Sequence, residues 1–270
     1  MPETPPIVLT IAGFDPSSGA GVTADIKTIA AHGCYGISAI TALTVQSTAG
    51  VQRVIPSDPE VLGSTLDELR KEGKVSAVHI GMLGSGKVAS KVADFLEGAR
   101  LQHVVLDPVL KSSSGALLLD GKGVVVLTQR LLSIADVITP NLDEATALTG
   151  LEVRNLKEME AAAVRLHEMR AKAVVVTGGH LDQAIDLLSV KGEAVQTYRE
   201  DRVDSPNTHG TGCAFSTAIA CQLALGQSLP TAVGLAKAYV LAAIRNSYAI
   251  GRGQGPVNHM YRIDGSLKRE

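Results

Sequence analysis

The segment Asn207-Thr-His-Gly-Thr-Gly-Cys213 places two glycines and a cysteine directly before an apolar helical run. Gly210 and Gly212 allow backbone N–H groups to converge on an anion, and the start of a helix adds about half a positive charge. Together with Thr211, these positions predict an anion hole. Cys213 lies at the same positive end, where the pKa of a thiol falls, so its thiolate could act as general base toward a substrate hydroxyl.

Cysteines are also common as small apolar core residues, and that interpretation fits Cys34 and Cys221. For Cys213, the neighbouring glycines and threonine favour a catalytic role instead. Three cysteines without a CxxC pair predict neither disulfides nor a structural zinc site, which suits a reducing cytoplasm.

A second glycine-rich loop, Ala12-Gly-Phe-Asp-Pro-Ser-Ser-Gly-Ala-Gly21, follows the first apolar run. Its glycines, Gly13 among them, let the backbone approach a small ligand, and Asp25 in the next helix is expected to face that ligand as a hydrogen-bond acceptor. The alternative is a plain turn with an exposed acid. The loop has neither the GxGxxG pattern nor a Lys after Gly19, so dinucleotide-binding and P-loop chemistry are disfavoured.

Three oxygen-bearing side chains follow strand-like runs in the middle of the chain. Asp107 ends the run Val-Val-Leu-Asp, and Asn141 and Glu144 open a predicted helix after Pro140. At a spacing of i, i+3, Asn141 and Glu144 share one helix face, where their oxygens and Asp107 could hold a hydrated Mg²⁺. An N-cap followed by a first-turn acid explains the same pair equally well, so both interpretations stay open.

Two further side chains give weaker signals. Gln46, at the end of the second strand, could pair with a nitrogen heterocycle, and Met82 could pack on a flat ring. Taken alone, a strand cap and a core methionine are the favoured interpretations. His79, His180 and His209 are too scattered to indicate a catalytic triad or a histidine metal site.

Strand and helix patterns alternate along the chain, which predicts an α/β protein with a mostly parallel central sheet and right-handed crossovers. Several strands are apolar throughout, as expected when helices cover both faces. Ligands then gather beyond the carboxyl ends of the strands. The predicted strands are Ile7–Ile11, Ile37–Thr44, Val51–Pro56, Ala77–Ile80, Val104–Leu106, Val137–Thr139, Val174–Thr177, Ala184–Val190 and Glu193–Tyr198, the last two as an antiparallel edge hairpin. The predicted helices are Gly21–Ala31, Pro59–Lys71, Val88–Gly98, Gly123–Ser133, Leu142–Thr149, Lys157–Met169, Cys213–Leu225 and Pro230–Asn246.

The composition is that of one folded domain covering residues 1–270. With a formal charge of −2 and no Lys/Arg-rich run, the chain lacks the basic surface that nucleic-acid partners require. No stretch approaches the roughly 18 apolar residues of a membrane span, and the first residues do not read as a signal peptide. We therefore expect a cytoplasmic protein with neither a membrane nor a nucleic-acid partner.

Eight blocks in order resemble the hydroxymethylpyrimidine and hydroxymethylpyrimidine-phosphate kinases of thiamine biosynthesis, a branch of the ribokinase-like superfamily. The resemblance covers nearly the whole chain and implies a three-layer αβα sandwich. Its carriers are residues 10–25, 40–51, 80–83, 106–109, 139–144, 178–180, 207–213 and 253–257.

The resemblance also implies roles for residues that match the family by position. A pyrimidine with a hydroxymethyl group would meet Gly13, Asp25, Gln46, Met82 and Val109. ATP would meet Asp107, Asn141, Glu144, Thr177, Thr208, Lys237 and the backbone of residues 210–212. Mg²⁺ would be held by Asp107 and Glu144 through water, and a homodimer is expected by analogy. The implied reaction is phosphorylation of the hydroxymethylpyrimidine and then of its monophosphate.

Three positions bear on rival functions within this resemblance. Most ribokinase-like enzymes have Asp where Cys213 stands, which disfavours a sugar kinase. Gln46 favours the pyrimidine over pyridoxal, although a pyridoxal kinase of the same fold stays the main alternative. Thr177 replaces a Lys that several relatives direct at the phosphates, so Lys237 or Lys111 would have to supply the cation, and a non-catalytic pyrimidine sensor is the remaining alternative.

Overall fold

A computed structural model describes residues 4–179 and 183–264, so His180 of the predicted motif lies outside the described residues. Nine strands in these ranges form one sheet in the order β3-β2-β1-β4-β5-β6-β7-β8-β9. They are β1 Ile7–Phe14, β2 Tyr35–Ser47, β3 Gly50–Pro56, β4 Val75–Ile80, β5 Val104–Leu106, β6 Val137–Ile138, β7 Ala173–Gly178, β8 Ala184–Val190 and β9 Gln196–Glu200. In sheet order, the six neighbouring strands β2, β1, β4, β5, β6 and β7 run parallel. At one edge β3 pairs antiparallel with β2, and at the other β8 pairs antiparallel with both β7 and β9.

The helices cover both faces of this sheet. They are α1 Gly21–Ala31, α2 Pro59–Leu69, α3 Gly86–Ala99, α4 Gly121–Val126, α5 Leu132–Ile134, α6 Leu142–Thr149, α7 Leu156–Glu168, α8 Thr211–Ala224, α9 Leu229–Arg245 and α10 Tyr261–Asp264. A π-helical stretch, Leu127–Leu131, joins α4 to α5. Within the described ranges, no helix combines the length and the apolar character that crossing a bilayer requires.

Consecutive strand residues belong to opposite apolar cores. Val104 and Leu106 pack against α2 to α7 on one face, whereas Val105 between them packs against α1, α8 and α9 on the other. Because side chains alternate along a strand and both faces are covered, these strands must be apolar throughout. The predicted three-layer αβα architecture of the ribokinase-like fold is therefore observed.

The structure adjusts the predicted boundaries in several places. The edge hairpin is present, but β9 begins three residues later than predicted, because the turn around Gly192 is longer and Leu188 pairs with Gln196. The Gly123–Ser133 segment is helical as predicted, with a π-helical interruption. The short helix α10 was not predicted.

Candidate active site

Three loops meet at the carboxyl edge of the parallel strands: residues 15–20 after β1, residues 107–118 after β5, and residues 207–210 before α8. Glycine lets the first and the third of these loops pack closely together, because a Cβ atom on Gly210 would lie 1.8 Å from the carbonyl oxygen of Gly19. Glycine also lets the two ends of the first loop approach each other, because a Cβ on Gly21 would lie 2.2 Å from the carbonyl oxygen of Gly13. Both Gly210 and Gly21 have positive φ, at +84° and +59°, so their backbone also favours glycine.

Asp15 organises the first loop, a role that the sequence analysis missed. Its carboxylate accepts hydrogen bonds from the N–H and hydroxyl of Ser17 and from the N–H groups of Gly19 and Ala20. His209 Nε2 lies 2.8 Å from Asp15 Oδ2 and ties this loop to the segment before α8. Burial opposes ionisation of Asp15, but the hydrogen bonds from His209 and Ser17 outweigh it and lower its pKa. The Asp-Pro-Ser-Ser-Gly turn chemistry was the available signal.

The first turn of α8 is not capped by a side chain. Among the described helices, six others have such a cap, and α1, like α8, has none. The caps are Asp58 for α2, Ser85 for α3, Asp120 for α4, Asn141 for α6, Asn155 for α7 and Ser228 for α9. In α8 the cap position is Gly210, with no side-chain hydrogen bond. The N–H groups of Gly212 and Cys213 have no helical acceptor at this end, so they are available to an anion.

The hydroxyls of Thr211 and Thr208 form hydrogen bonds within the protein that stabilise this turn. The Thr211 hydroxyl donates to the carbonyl oxygen of Thr208 at 2.6 Å. The Thr208 hydroxyl accepts from the side chain of Gln254 in the glycine-rich tail.

The structure corrects the expected chemistry of Cys213. Although the residue keeps some surface exposure, its sulfur is densely surrounded. Burial, and after it the charges of Asp107 and Asp25, raise the pKa of the thiol well above its usual value, whereas a hydrogen bond from the Gly21 N–H lowers it. The helix end alone therefore does not give a thiolate, because the neighbouring carboxylates oppose one.

Asp107 and Glu144 come together beside α8. Both are largely buried, and Gly212 faces Asp107, since a Cβ there would lie 3.9 Å from Asp107 Oδ2. Burial raises the pKa of both acids, and the charge of Asp107 raises that of Glu144 further. Two crowded carboxylates of this kind gain stability from a divalent cation. This donor set fits a hydrated Mg²⁺.

The pair Asn141 and Glu144 forms the capping box that the sequence analysis left as one alternative. Asn141 Oδ1 accepts from the Glu144 N–H at 2.9 Å, and Glu144 Oε2 accepts from the Asn141 N–H at 3.0 Å. Asn141 therefore orients Glu144. In the described part of the chain, no cluster of three or more His, Cys, Asp or Glu side chains could hold a metal by itself. Water or substrate oxygens would have to complete the coordination.

The prediction that Asp25 faces the ligand is wrong. Its side chain is fully buried, and both oxygens are occupied by the hydroxyls of Thr10 at 2.7 Å and Thr217 at 2.9 Å. His79 Nδ1 lies 3.3 Å away. Helix packing of α1 on α8 turns Asp25 inward, so it lies behind the pocket.

The remaining predicted substrate residues form two separate sets of contacts. Gly13 packs against Met82, which shares an apolar cluster with Val109. The second set belongs to Gln46: its amide oxygen accepts from Thr44 at 3.1 Å, and its amide nitrogen lies 3.4 Å from His209 Nε2. An adjoining cavity of about 230 Å³ is lined by Gln46, His209, residues 47–51, residues 112–114, Gly253 and Gln254.

Comparison with known proteins shows the family to which the chain belongs. The family model of the phosphomethylpyrimidine kinases matches residues 15–258. A hydroxymethylpyrimidine/phosphomethylpyrimidine kinase from Haemophilus influenzae is 42% identical over 258 residues, which are 93% of this chain and 96% of that protein. The chain belongs to the phosphomethylpyrimidine kinase family.

Two other matches bear on this family assignment. The thiamine biosynthesis bifunctional protein ThiED from Geobacter sulfurreducens is 43% identical over 255 residues, which are 94% of this chain but only 52% of that longer protein. The pyridoxal kinase from Staphylococcus aureus, solved with AMP-PCP and pyridoxal, superposes with a TM-score of 0.87 at 32% identity and covers 96% of this chain and 94% of that chain. The family therefore shares its fold with pyridoxal kinases.

Thr177, where the family resemblance led us to expect a lysine, lies beside a buried ion pair. Thr177 pairs with Asp186 in the sheet register and bridges to Asn141. Asp186 in turn lies 2.8 Å from the ammonium group of Lys237 on α9. Lys237 is therefore buried near Thr177, whereas Lys111 is exposed on the loop after β5.

Proposed function

We propose that the protein transfers the γ-phosphoryl group of ATP first to the hydroxymethyl oxygen of 4-amino-5-hydroxymethyl-2-methylpyrimidine and then to the resulting monophosphate. The observation that supports this proposal most is the meeting of an uncapped helix end, a buried carboxylate and a thiol at Gly212, Asp107 and Cys213. Phosphoryl transfer needs mainly positioning and charge stabilisation, which such an end provides.

The acceptor is proposed to bind between the glycine loop and the β2 strand. Met82 and Val109 provide an apolar wall for a flat ring. The Gln46 amide offers a donor and an acceptor to the ring nitrogen and amino edge, while the Thr44 hydroxyl donates to its oxygen and holds it in place. Gly13 lets Met82 pack directly on the loop backbone, since a Cβ there would lie 2.8 Å from the Met82 sulfur.

Asp107 and Glu144 would hold a hydrated Mg²⁺. When bound, it neutralises the two carboxylates and the charge on the phosphoryl oxygens. Two of the charges that raise the pKa of Cys213, those of Asp107 and Glu144, are then offset, and the Gly21 N–H and the α8 helix end lower it, while burial and the charge of Asp25 still raise it. In the first transfer Cys213 accepts the proton of the substrate hydroxyl, while the N–H groups of Gly212 and Cys213 stabilise the phosphoryl oxygens.

The phosphate side is proposed to use Lys237 in place of the missing lysine at position 177. The ammonium group of Lys237 is buried and donates to Asp186 at 2.8 Å, and Asp186 is the strand partner of Thr177. Thr177 contributes a hydroxyl at the end of β7, and Thr208 and Asn141 position the segments around it. A non-catalytic sensor would not need these groups.

The first test separates the two transfers. The monophosphate acceptor is ionised near neutral pH and needs no base, so Cys213→Ala should slow the first transfer by about 100-fold or more and the second only slightly. Steady-state assays with MgATP and each acceptor, with products followed by mass, measure both rates. Equal losses in the two steps would reject Cys213 as the base.

The second candidate function is a pyridoxal kinase, which the pyridoxal-bound structural neighbour favours. The ratio of kcat/KM for the pyrimidine to that for pyridoxal distinguishes the two functions. We expect the pyrimidine to be preferred, and Gln46→Met to reduce this preference by about tenfold, since it removes hydrogen bonds to the ring edge. A wild-type preference for pyridoxal would favour the second candidate.

We also propose a homodimer in the cytoplasm. Leu43 and Ile55 pair across β2 and β3, and with Val45 they leave an exposed apolar patch on the outer face of this edge. Such a patch suits a second copy of the chain. Sedimentation analysis should show a dimer that Leu43→Lys dissociates; a monomeric wild type would contradict the proposal.

A further inference from the structure

A buried chain of polar side chains links the back of the acceptor region to the proposed metal site. It runs from Thr10 and Asp25 through His79 and Ser216 to Asp107. Each of these residues is at most 6% exposed. The chain contains one imidazole between two carboxylates, a costly arrangement to bury unless every group is satisfied.

The hydrogen at Nδ1 of His79 follows from counting donors. Thr10 donates its only hydroxyl hydrogen to Asp25 Oδ2 at 2.7 Å. His79 Nδ1 lies 3.2 Å from Thr10 Oγ1 and 3.3 Å from Asp25 Oδ2. Both of these oxygens can only accept there, so Nδ1 must carry a hydrogen.

The other ring nitrogen decides what Ser216 can do. His79 Nε2 lies 3.0 Å from Ser216 Oγ, and Ser216 Oγ lies 3.3 Å from Asp107 Oδ2. A hydroxyl has one hydrogen to donate. If Nε2 carries no hydrogen, Ser216 must donate its hydrogen to the ring nitrogen, and Asp107 loses its donor. If Nε2 carries a hydrogen, Ser216 accepts from the ring and can donate to Asp107.

The carbonyl oxygens of Gly212 and Cys213 also lie within reach of Ser216, at 3.0 Å and 3.2 Å. An ionised carboxylate is a stronger acceptor than either carbonyl, so the hydrogen favours Asp107. Burial opposes a charge on His79, but the nearby charge of Asp25 outweighs it and raises its pKa. The imidazolium therefore satisfies every contact in the chain.

We propose that His79, as an imidazolium, and Ser216 act as positioning residues that fix the orientation of Asp107 toward a divalent cation. This inference rests on the proposed function only in assigning the cation to Asp107. It gives a role to a histidine that the sequence analysis set aside as scattered.

Binding of Mg²⁺ alone provides the first test, because it requires no turnover. His79→Gln and Ser216→Ala should each weaken Mg²⁺ binding by about 10- to 100-fold, the usual effect of removing a partner of a metal ligand. The rise in Tm on Mg²⁺ titration measures it. Tyr239→Phe is the matched control, because it removes a buried hydroxyl that donates to the His259 carbonyl and lies outside this chain. It should bind Mg²⁺ as the wild type does.

Rescue and spectroscopy separate positioning from simple structural support. His79→Lys keeps a buried cation with donors and should restore most of the Mg²⁺ affinity that His79→Gln loses. In nitrogen-15 histidine NMR spectra at neutral pH, His79 should show two slowly exchanging ring N–H protons before any Mg²⁺ is added. A single ring proton, or unchanged Mg²⁺ affinity in both Ser216→Ala and His79→Gln, would overturn the proposal. If the wild type phosphorylated no pyrimidine, the proposed function would be wrong. The Mg²⁺ and NMR measurements would still decide whether His79 and Ser216 position Asp107.

Discussion

The helices α6 and α8 both begin at the carboxyl edge of the sheet beside Asp107, but their first turns are built in opposite ways. In α6, Asn141 and Glu144 satisfy each other's backbone N–H groups. That helix end therefore presents a carboxylate. In α8, the first turn starts at Gly210 with no side-chain cap, so its N–H groups are left for a ligand.

Because of this difference, the two helix ends beside Asp107 favour ligands of opposite charge. The α6 end, with Glu144 and Asp107 crowded together, attracts a cation. The α8 end, with free N–H groups and the helix dipole, attracts an anion. A nucleotide with its metal ion carries both signs, so a site built from one end of each kind suits it.

Substitution of Gly210 should have the largest effect on this comparison. In Gly210→Ala, the new Cβ would lie 1.8 Å from the Gly19 carbonyl oxygen at a φ of +84°. The interlocked loops must move apart, so we expect the free energy of unfolding to fall by about 2–4 kcal/mol and kcat/KM to fall by at least about 100-fold. Thermal unfolding and steady-state kinetics measure the two effects.

Gly150→Ala is the matched control for that substitution. Gly150 ends α6 at a φ of +74°, but a Cβ there would meet no atom within 4 Å. It therefore isolates the cost of the left-handed backbone, about 1–2 kcal/mol, with activity as in the wild type. Similar losses of activity in both variants would show that contact between the loops is not what α8 requires.

Glu144→Gln should change how stability depends on pH. Burial and Asp107 raise the pKa of Glu144 in the folded state to about 8, from the ordinary 4.5. Between these values the folded state binds the extra proton, so the free energy of unfolding falls as pH rises. Gln keeps the acceptor for the Asn141 N–H and carries no charge, so we expect a flatter profile from pH 5 to 8.

Urea unfolding of both proteins across that pH range, without Mg²⁺, measures the difference. Added Mg²⁺ should stabilise the wild type more at pH 8 than at pH 5, and Glu144→Gln less at either pH. Parallel stability profiles for the two proteins would show that Glu144 is already ionised in the free protein, and that the α6 end is not crowded with charge.

The sheet could be predicted from the sequence because its signal is local. Runs such as residues 104–106 are apolar throughout, and that pattern needs only neighbours in the chain to be recognised. The start of β9 and the π-helical stretch after α4 depend on turn length and on packing against α3, which the local pattern does not contain. Their boundaries therefore shifted while their types held.

The site residues show the same difference between features set by local sequence and features set by the fold. The glycine motif before Cys213 carries its own geometry, so the uncapped start of α8 was predictable. The inward turn of Asp25, the raised pKa of Cys213 and the contact between Asp15 and His209 arise from residues far apart in the chain. Only the fold brings those groups together, and each changes the chemistry that residue type alone suggests.

Asn141→Ala should have the smallest effect and gives the finest test of the α6 end. It removes the acceptor for the Glu144 N–H, so we expect a loss of about 1 kcal/mol in the free energy of unfolding. The backbone N–H of residue 141 still donates to Glu144 Oε2, so the carboxylate stays near Asp107. The Mg²⁺ concentration for half-maximal activity should therefore change far less than in Glu144→Gln. A comparable rise would make the Asn141 side chain a ligand in its own right, and α6 would then open toward the metal ion as α8 opens toward the phosphate.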